Sequence, residues 1–383
     1  MKPDALDIRM GAAKTASMKK PAPASADPIA LLRAELRKRK LTGFLVPRQD
    51  EFQGEYVAPY AERLRWLTGF AGSWGVAIVT LDKAAIFVDG RYTVQVRNQV
   101  DVTKFEPRHL VDQPPAQWIE DNLKKGGRLG YDPWLLTASE AARFAKACEK
   151  AGARLVAVEQ NPVDTVWIGR PQRPLAPVTA HPTQFAGRTA HEKLAEAAQA
   201  MSRAKAGAAI LTMPDSVAWA FNIRGSDVSY TPVVLAYAIL HRKGKAELFI
   251  DAKRLSEDVR AQLRSVATLR KPDAIDTSLA ALGAKKSRVL IDLDGAAEHI
   301  RSKLKKSGAV IVPGADPCIL PKARKNAIEQ EGARAAHRRD GIAMARFLRW
   351  LEETAPAGGL AELAVADKLE QFRRAHPLLM DLS

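Results

Sequence analysis

The stretch Leu64-Arg65-Trp66-Leu67-Thr68-Gly69-Phe70, with the apolar runs 75–80 and 84–89 after it, decides the fold. Its first seven residues predict one helical turn stopped by glycine. The two runs flank the tight turn Leu81-Asp82-Lys83, which is the pattern of paired strands. The same order returns in Trp219-Ala220-Phe221-Asn222-Ile223, then 233–241 and 246–251 around Arg242-Lys243-Gly244-Lys245. Such recurrence predicts an internal duplication.

Working outward, Asp27 suits an N-cap and Pro28 a first helical position. Ile29, Leu32, Leu36 and Leu41 form the apolar face of a helix ending near Gly43. A strand over 44–47 follows, and after the paired strands come a helix over 91–100, a helix over 117–125, a strand over 128–131, a helix over 139–151 and a strand over 154–159. Residues 161–182 carry Pro162, Pro171, Pro174, Pro177 and Pro182, which predicts an ordered, non-regular crossing. The second unit adds helices over 191–205, from Lys253, from Ala274 and over 296–306, and strands over 208–213, 267–270, 289–294 and 309–312. The class is α/β. Beyond these units, 327–353 is strongly helical, with Ile328, Ala335, Ile342, Ala345, Phe347, Leu348 and Leu351 on one wide face. Ala355-Pro356-Ala357-Gly358-Gly359 breaks it before a second helix over 360–373.

Composition narrows the function classes. Over 383 residues the formal net charge is +16, but Lys and Arg are dispersed and no aromatic residues interleave with them. That argues for a basic, ordinary surface and against a nucleic-acid partner. No run of about 18 apolar residues is present, so no membrane-spanning helix is expected. Residues 1–26 are rich in Ala, Lys, Pro and Ser and predict a flexible tail. Cys148 and Cys318 stand far apart without CxxC spacing, which suits small core residues in a reducing, cytoplasmic compartment.

Catalytic patterns are missing. The seven histidines are scattered, without HExxH or HxH spacing, and no GxSxG, P-loop or GxGxxG occurs. Asp292 and Asp294 alternate at a strand end, pointing to opposite faces, so they terminate the strand. The glycines of Thr68–Gly75 read as a close-packed connection. In Asp89-Gly90-Arg91-Tyr92, Asp89 can cap the helix that follows, leaving Arg91 at the rim to meet a substrate carboxylate or a partner chain. Arg224-Gly225-Ser226-Asp227, in the matching place of the second unit, reads as a turn.

Several phrases carry a family resemblance. They are Arg65-Trp66-Leu67-Thr68-Gly69-Phe70-Ala71-Gly72-Ser73, Val88-Asp89-Gly90-Arg91-Tyr92, Gly130-Tyr131-Asp132-Pro133-Trp134, Asn161-Pro162-Val163-Asp164 with Trp167, and Ala218 to Val228. With Glu331 to Gly341, they resemble the long, three-domain aminopeptidase P type of Xaa-Pro aminopeptidase. The resemblance implies two creatinase N-terminal-like α/β domains followed by a pita-bread catalytic domain. That domain holds two divalent metals, usually manganese, through two Asp, one His and two Glu, and cleaves the bond preceding proline. None of those five ligands has a counterpart here, so the chain is expected to be a truncated N-terminal portion, inactive alone. No catalytic and no metal residue is assigned. Arg91 is the one position assigned to the substrate entrance. The expected division is a tail over 1–26, a first domain over 27–160, a linker over 161–182, a second domain over 183–322 and catalytic-domain helices over 323–383. Proline-containing peptides and a homodimer are the partners the resemblance implies. The rival reading is a non-catalytic peptide- or protein-binding module.

Overall fold

The structure, a computed structural model, describes residues 27–377 and 379; the tail expected over 1–26 lies outside them. The first unit builds one sheet from β1 (Gly43–Pro47), β2 (Gly75–Thr80), β3 (Ala84–Val88), β4 (Glu106–His109), β5 (Arg128–Tyr131) and β6 (Arg154–Ala157). Its strand order is β4-β3-β2-β1-β5-β6. The next strands are β7 (Thr179–Ala180), β8 (Ala208–Leu211), β9 (Ile223–Arg224), β10 (Tyr237–His241), β11 (Ala246–Phe249), β12 (Ala267–Arg270), β13 (Arg288–Ile291) and β14 (Val310–Pro313). Six of them form the second sheet, in the order β12-β11-β10-β8-β13-β14, while β7 pairs with β9.

The expected duplication is present in full. In both sheets the strand pairs at the centre are antiparallel and the outer pairs parallel. The registers superpose: Phe44 faces Val79 as Ala209 faces Leu240, and Gly43 faces Leu129 as Ala208 faces Val289. Continuous apolar strands such as Gly-Val-Ala-Ile-Val-Thr are buried throughout because helices cover both faces. Leu32, Leu36, Leu64 and Phe70 pack on one face of the first sheet; Trp118, Phe144 and Cys148 pack on the other.

The two units dock through corresponding loops, those following β5 and β13. Ser139 N–H donates to Leu293 O (3.2 Å) as His299 N–H donates to Pro133 O (2.8 Å). Ala138 N–H donates to Ala296 O (3.2 Å) as Glu298 N–H donates to Leu136 O (2.9 Å). The joint is therefore a local two-fold between repeats of one chain. Side chains strengthen it from one side: Trp134 stacks on His299 (4.0 Å between centroids), and Phe52 on Tyr237 (4.5 Å).

Several expectations need correction. The helix expected over 91–100 is a 3-10 turn, Gly90–Tyr92, and a separate helix, Gln95–Gln99. The strand expected from residue 233 begins at Tyr237, because the N–H of Leu235 is taken by the Asp227 carboxylate (2.8 Å) instead of a ladder partner. Asp27 starts its helix without capping it; its carboxylate pairs with Lys104 (3.3 Å). The crossing over 161–182 is partly regular: Asn161 caps the helix Pro162–Val166, and β7 pairs with β9. That pairing also removes the turn expected at Arg224. Asp292 does not alternate on a strand, since β13 ends at Ile291; its carboxylate accepts the N–H groups of Asp294 (3.0 Å) and Gly295 (3.3 Å) in a turn. The sequence pattern missed β4, whose half-exposed Glu-Pro-Arg-His has no apolar alternation.

The C-terminal part is the helix Ala327–Thr354, capped by an Asn326–Glu329 capping box, and the helix Glu362–Arg374 packed against it. Asn326 Nδ2 also donates to Ala186 O (2.9 Å), which ties the long helix to the second unit.

Candidate functional site

Arg91 sits where the sequence places it, on the corner after β3. Asp89 Oδ1 accepts the Arg91 N–H (2.9 Å), and the guanidinium forks the same carboxylate through Nε (3.1 Å) and Nη2 (2.8 Å). These bonds hold Asp89 below its ordinary value and Arg91 above its own, so both stay charged. The guanidinium lies 5.0 Å from the Tyr92 ring centroid, and its side chain is 60% exposed. Tyr92 Oη is 2.8 Å from Ser73 Oγ, which donates to Glu55 (3.1 Å). The glycine-rich loop and the Asp-Gly-Arg-Tyr corner thus meet at one rim. Gly72 belongs there because a Cβ would stand 2.3 Å from the Phe70 ring.

Behind that rim, residues 48–54 leave β1 and run into the joint, a site the sequence did not disclose. Asp50 Oδ1 accepts from Phe52 N–H (3.0 Å) and Gly54 N–H (3.1 Å), while its Oδ2 is buried without a partner among the described residues. Burial, with Glu51 beside it, pushes the Asp50 carboxyl up to about 7. Glu51 accepts from Tyr60 Oη (2.9 Å) and pairs with Arg173; its backbone carbonyl accepts from Tyr237 Oη (2.6 Å) of the second unit. Nearby, Arg63 forks Asp164 (2.7 and 2.9 Å), and Asn161 donates to Asp132 (3.0 Å), whose carboxyl burial pushes up. Of the stretches read from sequence as family signatures, Gly130–Trp134 reaches the second unit through the Pro133 carbonyl and the Trp134 ring, while Asn161–Asp164 fastens the first unit by holding Asp132 and Arg63.

The second unit holds a buried cation that the sequence reading passed over. Lys193 is 2% exposed. It donates to Trp219 O (3.0 Å) and Asn222 Oδ1 (2.6 Å) and lies 4.5 Å from the Trp219 ring centroid. Burial lowers its ammonium to about 8. Asp227 forks Arg254 with both groups buried. Both arrangements close their strong bonds within the chain, so they hold the unit together and offer nothing to a ligand.

An open crevice lies at the carboxyl ends of β1 and β5. Its larger compartment, about 490 Å³, is walled by Gln49, Trp74, Arg143 and, from the second unit, Asp294. A dinuclear metal centre needs several carboxylates and imidazoles converging on it. Among the described residues no three His, Cys, Asp or Glu do so. The donor set of the described residues does not fit such a centre.

A family model for the creatinase/prolidase N-terminal domain matches residues 28–166, and a second of the same description matches residues 169–329. The chain belongs to the creatinase/prolidase N-terminal domain family. The tandem of these domains is shared with longer proteins. A probable Xaa-Pro aminopeptidase P of Paracoccidioides lutzii is 35% identical over 373 residues, covering 93% of this chain and 60% of the relative. One from Aspergillus clavatus is 35% identical over 369 residues, covering 93% of this chain and 56% of the relative. Among solved structures, the X-prolyl aminopeptidase of Caenorhabditis elegans, a cytosolic enzyme with a di-nuclear active site, superposes with a TM-score of 0.86 at 28% identity. It covers 92% of this chain and 60% of its own. The chain thus spans about 60% of the length of these relatives. The resemblance read from the sequence motifs is shown, as are the two creatinase-like α/β domains.

Proposed function

We propose that this chain is the peptide-handling N-terminal portion of an Xaa-Pro aminopeptidase, which releases an N-terminal residue preceding proline with two divalent metal ions, manganese by preference. The carrying observation is similarity that continues through both creatinase-like units and into the helices beyond them, over 93% of the chain. In this reading the domains are those expected over 27–160 and 183–322. Arg91, charged and exposed on a braced corner, meets the substrate carboxylate or a partner chain at the entrance. In this reading the described residues orient peptides and do not hydrolyse them, which is supported by the lack, among them, of any group of three His, Cys, Asp or Glu able to hold a metal ion. The cytosolic setting of the C. elegans enzyme and two buried free cysteines support a cytoplasmic location. The test is cleavage of an Ala-Pro peptide by the purified 383-residue chain with added manganese. No turnover is expected; turnover that survives repurification overturns the reading.

A second reading, a non-catalytic binding module or homodimer, draws on the apolar residues left open on the C-terminal helices: Ile328 (48% exposed), Ile342 (57%), Leu348 (54%) and Leu363 (80%). Sedimentation decides it. A concentration-independent monomer, with and without proline peptides, removes the homodimer.

A further inference from the structure

The duplication exposes an asymmetry. Counted along the matching registers, Trp134 and Asp294 are counterparts, each five residues beyond the paired Leu129 and Val289. Ser139 and His299 correspond in the same way, and their symmetric bonds across the joint confirm it. Val46 faces Ala77 as Leu211 faces Ala238, which makes Val76 and Tyr237 counterparts. In the second unit three rings fill the space at this place: Trp134 stacks on His299 (4.0 Å) and faces Tyr237 (6.0 Å). In the first unit the same place is framed by Asp294 and Ser139, and it stays open as the compartment of about 490 Å³. An adjoining compartment of about 180 Å³ reaches Val76, Pro114, Pro115 and Phe144. The strand order turns outward in opposite directions at β1 and β5, and in open α/β sheets the crevice beyond the carboxyl ends at such a switch point is where ligands bind.

The walls of both compartments include three side chains with their bonding capacity in reserve among the described residues. Gln49 is only 7% exposed, yet its amide has no hydrogen-bond partner there. Trp74 has neither a stacking partner nor a bond from its indole N–H. Arg143 has no ion pair or hydrogen bond, and its guanidinium lies 5.4 Å from the Phe144 ring centroid. Glu140, one turn away, forms no ion pair with it; its Oε2 accepts the Thr137 N–H (3.0 Å) in a capping box. At the far end of the larger compartment, Asp294 carries an exposed carboxylate without an ion pair among the same residues.

We propose that this crevice binds the C-terminal end of a short peptide whose last residue carries a ring. The ring takes the place that Trp134 occupies in the other repeat, against Trp74 and the proline-lined compartment. Arg143 and the Gln49 amide take the terminal carboxylate, and Asp294 faces the peptide's amino end. The assignment rests on the reading that the chain handles peptides, and it adds a second contact on the opposite face of the first sheet from Arg91.

Isothermal titration of the 383-residue chain with Ala-Pro-Phe tests it. Binding is expected, weakened about tenfold by amidating the peptide's carboxylate or by Arg143→Met, the loss of one charge-assisted contact. Asp294→Trp, which places in the open crevice the residue its counterpart already uses, is expected to abolish binding while leaving the chain folded. Binding that is unchanged in both Arg143→Met and Asp294→Trp overturns the proposal, as does no binding by the unaltered chain. Binding lost in Arg91→Ala but kept in Asp294→Trp also overturns it, while leaving the peptide-handling reading intact.

Discussion

At the residue scale, Asp50 sets a pH dependence. In the fold its carboxyl keeps a proton up to about pH 7, whereas the ordinary value is 3.8. Folding therefore takes up a proton between these values, and stability falls as pH rises through that window. His181 acts on the acid side: burial lowers it from 6.5 to about 4, so its contribution is lost as pH falls through that range. Asp50→Asn keeps an acceptor for the Phe52 and Gly54 N–H groups and removes the charge. Its stability relative to the unaltered chain is expected to improve by on the order of 2 kcal/mol between pH 5 and pH 8, read from urea unfolding at both. A parallel shift at the two pH values would contradict this. Lys193→Met keeps the buried stem but strands the Asn222 amide oxygen and removes the ammonium donor of the Trp219 carbonyl. A loss of about 1–3 kcal/mol in the same measurement is expected. Neither residue was legible in the sequence. Asp50 sits among ordinary loop residues, and Lys193 shares a helix with other charges; only tertiary packing decides that both are buried.

At the element scale, the long helix Ala327–Thr354 is anchored at its start and open along its length. Asn326 serves both as its cap and as a bond to Ala186, while Ile342 and Leu348 face solvent. Asn326→Ala is expected to cost about 1 kcal/mol and to raise amide exchange in the first turns. Gly341 lies inside the helix, and a Cβ added there would meet nothing within 4 Å. Gly341→Ala should therefore raise Tm, adding roughly 0.5–1 kcal/mol through the unfolded chain's lost freedom. Elements with strong local signals were readable: the glycine-stopped turn is the helix Arg63–Thr68 with Gly69 at φ 84°, and β2, β5 and β12 fall where apolar runs put them. The break after Tyr92 and the late start of β10 were not readable. The late start of β10 depends on Asp227, eight residues earlier, capturing the Leu235 N–H, which no apolar pattern carries.

At the scale of the whole molecule, the duplicated sheets and their symmetric joint explain why the signature phrases sit where they do. Trp134 crosses the meeting of the repeats, Asp132, Asn161 and Asp164 fasten the first repeat, and the Arg91 corner looks outward. The sequence exposed the repetition and the corner, because both are written in local order. It hid the joint, whose symmetric bonds run backbone to backbone, and the crevice, where Asp294 and Ser139 stand in place of the other repeat's Trp134 and His299. Trp134→Ala should uncouple the repeats, splitting one unfolding transition into two at a cost of about 3–5 kcal/mol to the joint. The central claim is that these residues receive peptides without housing the metal chemistry. Titrating manganese into the metal-free 383-residue chain tests it most directly. The prediction is weak, non-stoichiometric binding that leaves Tm unchanged; one or two tightly held ions per chain, bound with a rise in Tm, would contradict it.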